Sequence, residues 1–234
     1  MSPLIQSDAR LAQSARISFS NFRTPTGTQT TNYGNYHTMG FLIGDRVQAN
    51  FIAPPYVQNN SATAKDGFGD TQLETKVRMV SGNAAHGNFA MTGKLTWNIA
   101  TGSQKNGAAT SYLSPTLLAG RGWSRFNVQT ALSGGLPTGK IALQGRQIEW
   151  DLTGQVHPEA NLWLDVENNA NFRIGGPYDG KVQNFVTPAA FYVVRRKAWK
   201  PTHAIFVPGV GMQIAASRFH TFNHNLIPEL RILF

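Results

Sequence analysis

The chain has 234 residues, with 23 Gly, 12 Pro, no Cys, and 21 Lys and Arg set against 12 Asp and Glu. That composition removes thiolate metal sites, thiol nucleophiles and disulfides, and it leaves little room for long helices. No apolar run approaches the roughly 18 to 20 residues of a membrane-spanning helix, so a membrane could be crossed only by strands.

Met1 to Arg10 lacks a charged n-region followed by an apolar core, so no signal peptide is visible and residues 1–11 read as a flexible lead-in. Beyond it, a period of two divides the chain into about twelve segments of the roughly 9 to 11 residues that a tilted membrane strand needs. The first, near Gln13 to Phe22, sets Ala15, Ile17 and Phe19 against Arg16 and Ser18. The second ends at Ile43, and Gly44-Asp45 turns the chain into a third where Val47, Ala49 and Phe51 alternate with Arg46, Gln48 and Asn50. The fourth is the cleanest, with Leu73, Val77 and Met79 opposite Gln72, Glu74, Lys76 and Arg78. The fifth places Leu95, Trp97 and Ile99 opposite Lys94, Thr96 and Asn98. The sixth, Tyr112 to Gly120, is more apolar, and the seventh sets Phe126, Val128 and Leu132 against Arg125, Asn127 and Gln129.

The eighth and ninth carry acids on their polar face: Glu149 and Asp151, then Asp165 and Glu167. The tenth, Val182 to Arg196, is ambiguous in phase, and the eleventh aligns Phe206, Val210, Met212 and Ile214. In the twelfth, Leu226, Pro228, Leu230, Ile232 and Phe234 share one face, and Asn225, Glu229 and Arg231 share the other. Ile227 and Leu233 break that pattern. A last strand that is ionised on one face and ends on an aromatic residue resembles the closing strand of a bacterial outer-membrane barrel.

Connections alternate between short links, such as Ser81 to Gly87 and Lys197 to Thr202, and longer polar ones, such as Gly102 to Thr110. A barrel inserted from one side requires that alternation. The fold expected is therefore a single all-β domain over residues 1–234, a transmembrane antiparallel barrel with both termini periplasmic. A soluble β-sandwich is the competing reading, and it would turn the apolar face inward. Pro115, Pro188, Pro208 and Pro228 fall inside proposed strands, where a closed barrel has no edge for a missing N–H, so each must sit at a rim, a bulge or a break in register.

GFGDTQLETKVRM (Gly67 to Met79), GLPTG (Gly135 to Gly139) and the IGDRVQ turn (Ile43 to Gln48) resemble segments of the outer-membrane family named for the MetA pathway of phenol degradation. The resemblance implies a barrel and an outer-membrane channel or transporter linked by name to aromatic-compound catabolism.

On this reading the lumen carries acids at Asp70, Glu74, Glu149, Asp151, Asp165, Glu167 and Glu229, and bases at Arg16, Arg46, Lys76, Arg78, Lys94, Arg125 and Arg231. If the eighth and ninth strands turn about Pro158, Glu149 faces Glu167 and Asp151 faces Asp165, an unfavourable pairing that needs compensation. A basic wall, raised carboxyl pKa values, a bound cation or a slipped register would each supply it. Trp97, Tyr112, Trp123, Phe126, Trp150, Trp199, Phe206 and Phe234 read as a girdle at the headgroup boundary.

The surplus positive charge suits outer-membrane lipid and lipopolysaccharide, which loop bases such as Arg23, Lys65, Lys105, Lys140 and Arg218 could meet. Nucleic acid is set aside, because no RNP-like motif, zinc-finger spacing or basic helix occurs. No His-x-Ser of the kind an outer-membrane phospholipase needs is present, and His220 and His224 read as rim residues. No cofactor or metal is expected. The function expected is passive diffusion of small solutes, hydrophobic or aromatic ones included, through a charged lumen. An enzyme acting on lipid or lipopolysaccharide and a closed structural barrel are the alternatives.

Overall fold

Alternation of side-chain character along every long segment resolves, in the computed structural model, into one antiparallel sheet that closes on itself. The structure describes residues 2–25, 27–34, 37–195 and 204–234. Twelve wall strands follow in chain order. They are β1 (Ser14–Arg23), β2 in two pieces (Gln29–Tyr33 and Thr38–Ile43), β3 in two pieces (Val47–Ile52 and Tyr56–Asn60) and β4 in two pieces (Gly67–Phe68 and Thr71–Gly82). Then come β5 (Phe89–Ile99), β6 (Tyr112–Trp123), β7 (Phe126–Pro137), β8 (Arg146–Val156) and β9 (Leu162–Ile174). The last three are β10 (Val182–Tyr192, continued by Val194–Arg195), β11 (Ile205–Ala215) and β12 (His224–Leu233).

Each strand pairs with its sequence neighbours, and β12 pairs with β1 from Ser14↔Leu233 to Arg23↔His224, which closes the cylinder. The first and last strands therefore begin and end at the same rim, the one that carries the short turns. Longer connections, including residues 100–111 and 216–223, occupy the opposite rim. The link Lys197 to Thr202 lies outside the described residues.

The apolar face points outward. Leu73, Leu95, Leu132, Trp150, Val166 and Val210 are all exposed, whereas Glu74, Thr96, Gln129, Asp151, Glu167 and Gln213 on the alternate positions are buried. A soluble sandwich has the reverse arrangement, and an oily exterior is stable only against hydrocarbon. No helix among the described residues is long and apolar enough to cross a membrane, so strands are the spanning elements.

The four strand prolines sit where one ladder is interrupted. Pro115 faces the gap between Thr116↔Ser133 and Leu113↔Leu136, and Pro228 faces the gap between Ser18↔Glu229 and Asn21↔Leu226. Pro188 lies between Val186↔Ile214 and Ala189↔Gly211, and Pro208 lies between Gly209↔Phe191 and Phe206↔Val194. Each keeps its pairing on the other side, through Leu95, Val210, Val166 and Leu230 respectively. A missing N–H thus falls where no partner carbonyl is waiting.

Candidate functional site

Among the described residues, charge collects away from bulk solvent in the interior of the cylinder, and the segment before β1 runs through it. Residues 2–12 follow the inner wall near the short-turn rim. The Ala12 N–H donates to Gln48 Oε1 at 2.9 Å, and Thr92 donates its hydroxyl to Ala9 O at 2.5 Å. Thr153 donates to Gln6 Oε1 at 2.6 Å. Glu167 accepts the backbone N–H groups of Leu4, Ile5 and Gln6, those of Ile5 and Gln6 at 2.8 to 3.0 Å. The Arg231 guanidinium donates to the carbonyls of Ser2 and Pro3, and Arg16 donates to that of Leu4. From β3 round to β12, a stretch read as a lead-in is instead held by the wall.

Two apolar contacts fix it. Leu4 packs against Phe191, Val193, Val207 and Ile227, and Ala9 against Ala90, Leu118 and Ala131. Those are apolar residues on the otherwise polar lumen face, which explains why Ile227 breaks the alternation of β12. Gly211 supplies the space, since a Cβ there would overlap Leu4 Cδ2.

The segment leaves a cavity of about 700 Å³ lined by residues that include Gln48, Glu74, Lys94, Thr116, Glu149 and Asp151. A second space of about 330 Å³ opens toward the short turns beside Arg78, Asn127 and His157. Arg10 and Trp163 line both. Arg10 is itself bonded to Asp8, at 2.6 and 3.0 Å.

Charges on the wall are matched in two different ways. Glu229 pairs with both Arg16 and Arg231. Glu74 pairs with Lys94 at 3.3 Å and accepts from Asn50 and Thr96, while Lys76 Nζ donates to Asp8 O at 3.1 Å. Three of the four acids on β8 and β9 are met by amide groups, Glu149 being the exception. The register is Glu149↔Asn171, Asp151↔Asn169, Thr153↔Glu167 and Gln155↔Asp165, so the expected acid-to-acid pairing about Pro158 does not occur. The hairpin pivots two residues later. Asn169 Nδ2 donates to Asp151 at 2.8 Å, and Gln155 Nε2 donates to Asp165 at 3.2 Å. A buried acid beside amide donors is solvated without a counter-charge.

Several expected positions move. Arg46 and Arg125 are exposed turn residues and do not line the lumen; Arg125 donates to Pro158 O across neighbouring turns at 3.3 Å. Asp70 sits between the two pieces of β4 and holds the long loop after β5, accepting from Asn98 Nδ2, Gly102 N and Ala108 N at 2.7 to 2.9 Å. Arg78 is a lumen residue near the turn rim. Tyr112 lines the cavity and is not part of the outer girdle, because Leu113 and Leu117 hold the outward phase of β6. Trp97, Trp123, Phe126, Trp150 and Phe234 are exposed on the outside, Phe206 shares the outward phase of Val210, and Trp199 lies outside the described residues. The ladder Phe19, Tyr33, Tyr56 and Phe68, with neighbouring rings 5.4 to 6.5 Å apart, belongs to the girdle too, and period-two reading passed over it because β2 to β4 are each broken there. His220 contacts Ser217 O and Asn223 Oδ1, each at 2.9 Å, within the loop before β12.

Solved structures to which the chain is similar include an outer membrane channel and two porins. An outer membrane channel from Pseudomonas putida F1 aligns over 100% of both chains with a TM-score of 0.64 and 11% identity. The NanC porin aligns over 94% of this chain and 98% of its own, with a TM-score of 0.62 and 8% identity. The KdgM porin covers 94% of this chain and 99% of its own, at a TM-score of 0.51 and 8% identity. At such identities the likeness carries the fold, and the fold is that of an outer-membrane β-barrel of the porin and channel type. No family model and no curated relative matches the chain, so the MetA-pathway resemblance rests on its three short motifs.

Proposed function

We propose that the protein is a passive outer-membrane channel for small polar solutes, with its bore set by residues 2–12. The observation that carries this reading is the polar cavity of about 700 Å³ inside a cylinder whose outer surface is apolar. Water and solutes have a place to be on the inside, and lipid has one on the outside. Short turns and both chain ends then face the periplasm, the arrangement of a barrel inserted from one side. Exposed Arg23, Lys65, Lys105, Lys140 and Arg218 lie at the other rim, where lipopolysaccharide phosphates would meet them.

Passage of aromatic compounds, which the family resemblance implies, is supported only by Tyr112 and Trp163 in the cavity lining, so the lumen favours polar cargo. Planar-bilayer recording tests the function. Purified protein should give discrete ion-conducting steps, and deletion of residues 2–11 should enlarge them. A silent membrane with both proteins would leave a closed structural barrel in its place.

A further inference from the structure

One row of paired residues crosses the inner wall above the N-terminal segment: Glu149 on β8, Ser133 on β7, Thr116 on β6, Lys94 on β5 and Lys76 on β4. Glu149, Thr116, Lys94 and Lys76 all line the larger cavity. Between the acid and the first lysine the floor is made of two small hydroxyl residues, with Gly135 alongside beneath the Gln147 side chain. Three strand spacings separate Glu149 from Lys94, about 14 Å along the sheet.

The two ends of this trough carry opposite charge. At the basic end, Lys94 pairs with Glu74 and donates to Ser7 Oγ at 2.8 Å, and Lys76 donates to Asp8 O at 3.1 Å, so the N-terminal segment helps to hold both ammonium groups. At the acidic end, Asp151 receives one amide bond from Asn169, and among the described residues no hydrogen bond or ion pair reaches Glu149. Lys94 is the base whose field reaches both acids, and Arg173 acts on Glu149 as well. On the floor, the Thr116 hydroxyl is buried and has no partner, an unusual state for a group that could bond water or a solute.

We propose that this trough binds small zwitterionic solutes of the α-amino acid type, with the ammonium group at Glu149 and Asp151, the carboxylate at Lys94 and Lys76, and the Thr116 hydroxyl between them. The assignment rests on the channel reading for its transport role and names the solute class. A neutral molecule of equal size gains nothing from the field across the trough. A singly charged one satisfies one end and is repelled at the other.

L-alanine and lactamide are constitutional isomers that differ in charge separation, and they serve as the probes. In proteoliposome swelling, the protein should admit alanine about three-fold faster than lactamide, the scale of one partly screened ion contact. In Glu149→Gln/Asp151→Asn the two rates should become equal. Equal rates in the unsubstituted protein, or a ratio that the double substitution does not move, would overturn the assignment. Both replacements are isosteric, and Asn at 151 keeps the acceptor that Asn169 uses. Saturation-transfer NMR on the unsubstituted protein in micelles needs neither flux nor a folded variant: contact by alanine and not by lactamide supports the site, and equal signals refute it. If neither solute swells the vesicles and no current flows while the NMR contrast holds, the channel reading fails and the site stands.

Discussion

Glu167 is fully buried on the lumen face, and its two oxygens accept three successive backbone N–H groups from Leu4, Ile5 and Gln6. Glu167→Gln keeps the volume but turns one acceptor oxygen into an NH2 that confronts the same donors. At least one charge-assisted bond is lost and one buried N–H is left unmatched, at a cost of about 3 kcal/mol. That is about 150-fold in the ratio of docked to released segment. Leu4, whose burial contributes about 2 kcal/mol, and the arginine contacts to the carbonyls of residues 2–4 still hold the segment. The segment should therefore open far more often without leaving for good. Hydrogen–deuterium exchange in detergent should show amides 4–6 exchanging about a hundred-fold faster, in line with that ratio, and bilayer currents should flicker between two levels. Unchanged protection of residues 2–11 would refute the reasoning, since it would mean that packing alone keeps the segment in place.

Gly211→Ala should release the same segment without altering any charge. The new Cβ would overlap Leu4 Cδ2 and lie 2.9 Å from Ala189 Cβ, an overpacking cost of about 1–3 kcal/mol that amide exchange at residues 3–6 would report. Leu132→Lys puts an ammonium group on the lipid face at the middle of β7 and should lower stability in bilayer refolding from urea by about 2–4 kcal/mol. Asp70→Asn should speed proteolysis within residues 100–111, because the carboxylate that collects Asn98, Gly102 and Ala108 is gone, while single-channel current stays the same.

The wall of the barrel was legible because lipid and water impose a period of two on each strand, and Glu74, Lys76 and Lys94 fell on the lumen side as that period requires. Register was not. Moving the β8–β9 pivot from residue 158 to 160 leaves every side chain on its own face, so alternation cannot distinguish the two, yet it replaces opposed acids with acid–amide pairs and one acid–hydroxyl pair. Arg46 and Arg125 were misplaced because each turn continues the alternation by one residue beyond the strand. The N-terminal segment has no period of its own, and its signal lies elsewhere: Val207, Phe191, Leu118 and Ile227 are apolar on the polar phase, and Gly209 and Gly211 lack a side chain beside them. Such exceptions mark where a second piece of chain docks. In β6 a leucine-rich run hid the phase, which is how Tyr112 was assigned to the outside.

A native chain without cysteine allows the division between water and lipid to be tested directly. Single cysteines at Ser114 and Ser133 on the inner wall, and at Leu117 and Leu132 on the outer, can be exposed in proteoliposomes to a charged methanethiosulfonate reagent. The account predicts rapid labelling at 114 and 133, accompanied by loss of current, and protection at 117 and 132. Labelling of the outer pair with protection of the inner pair would contradict it.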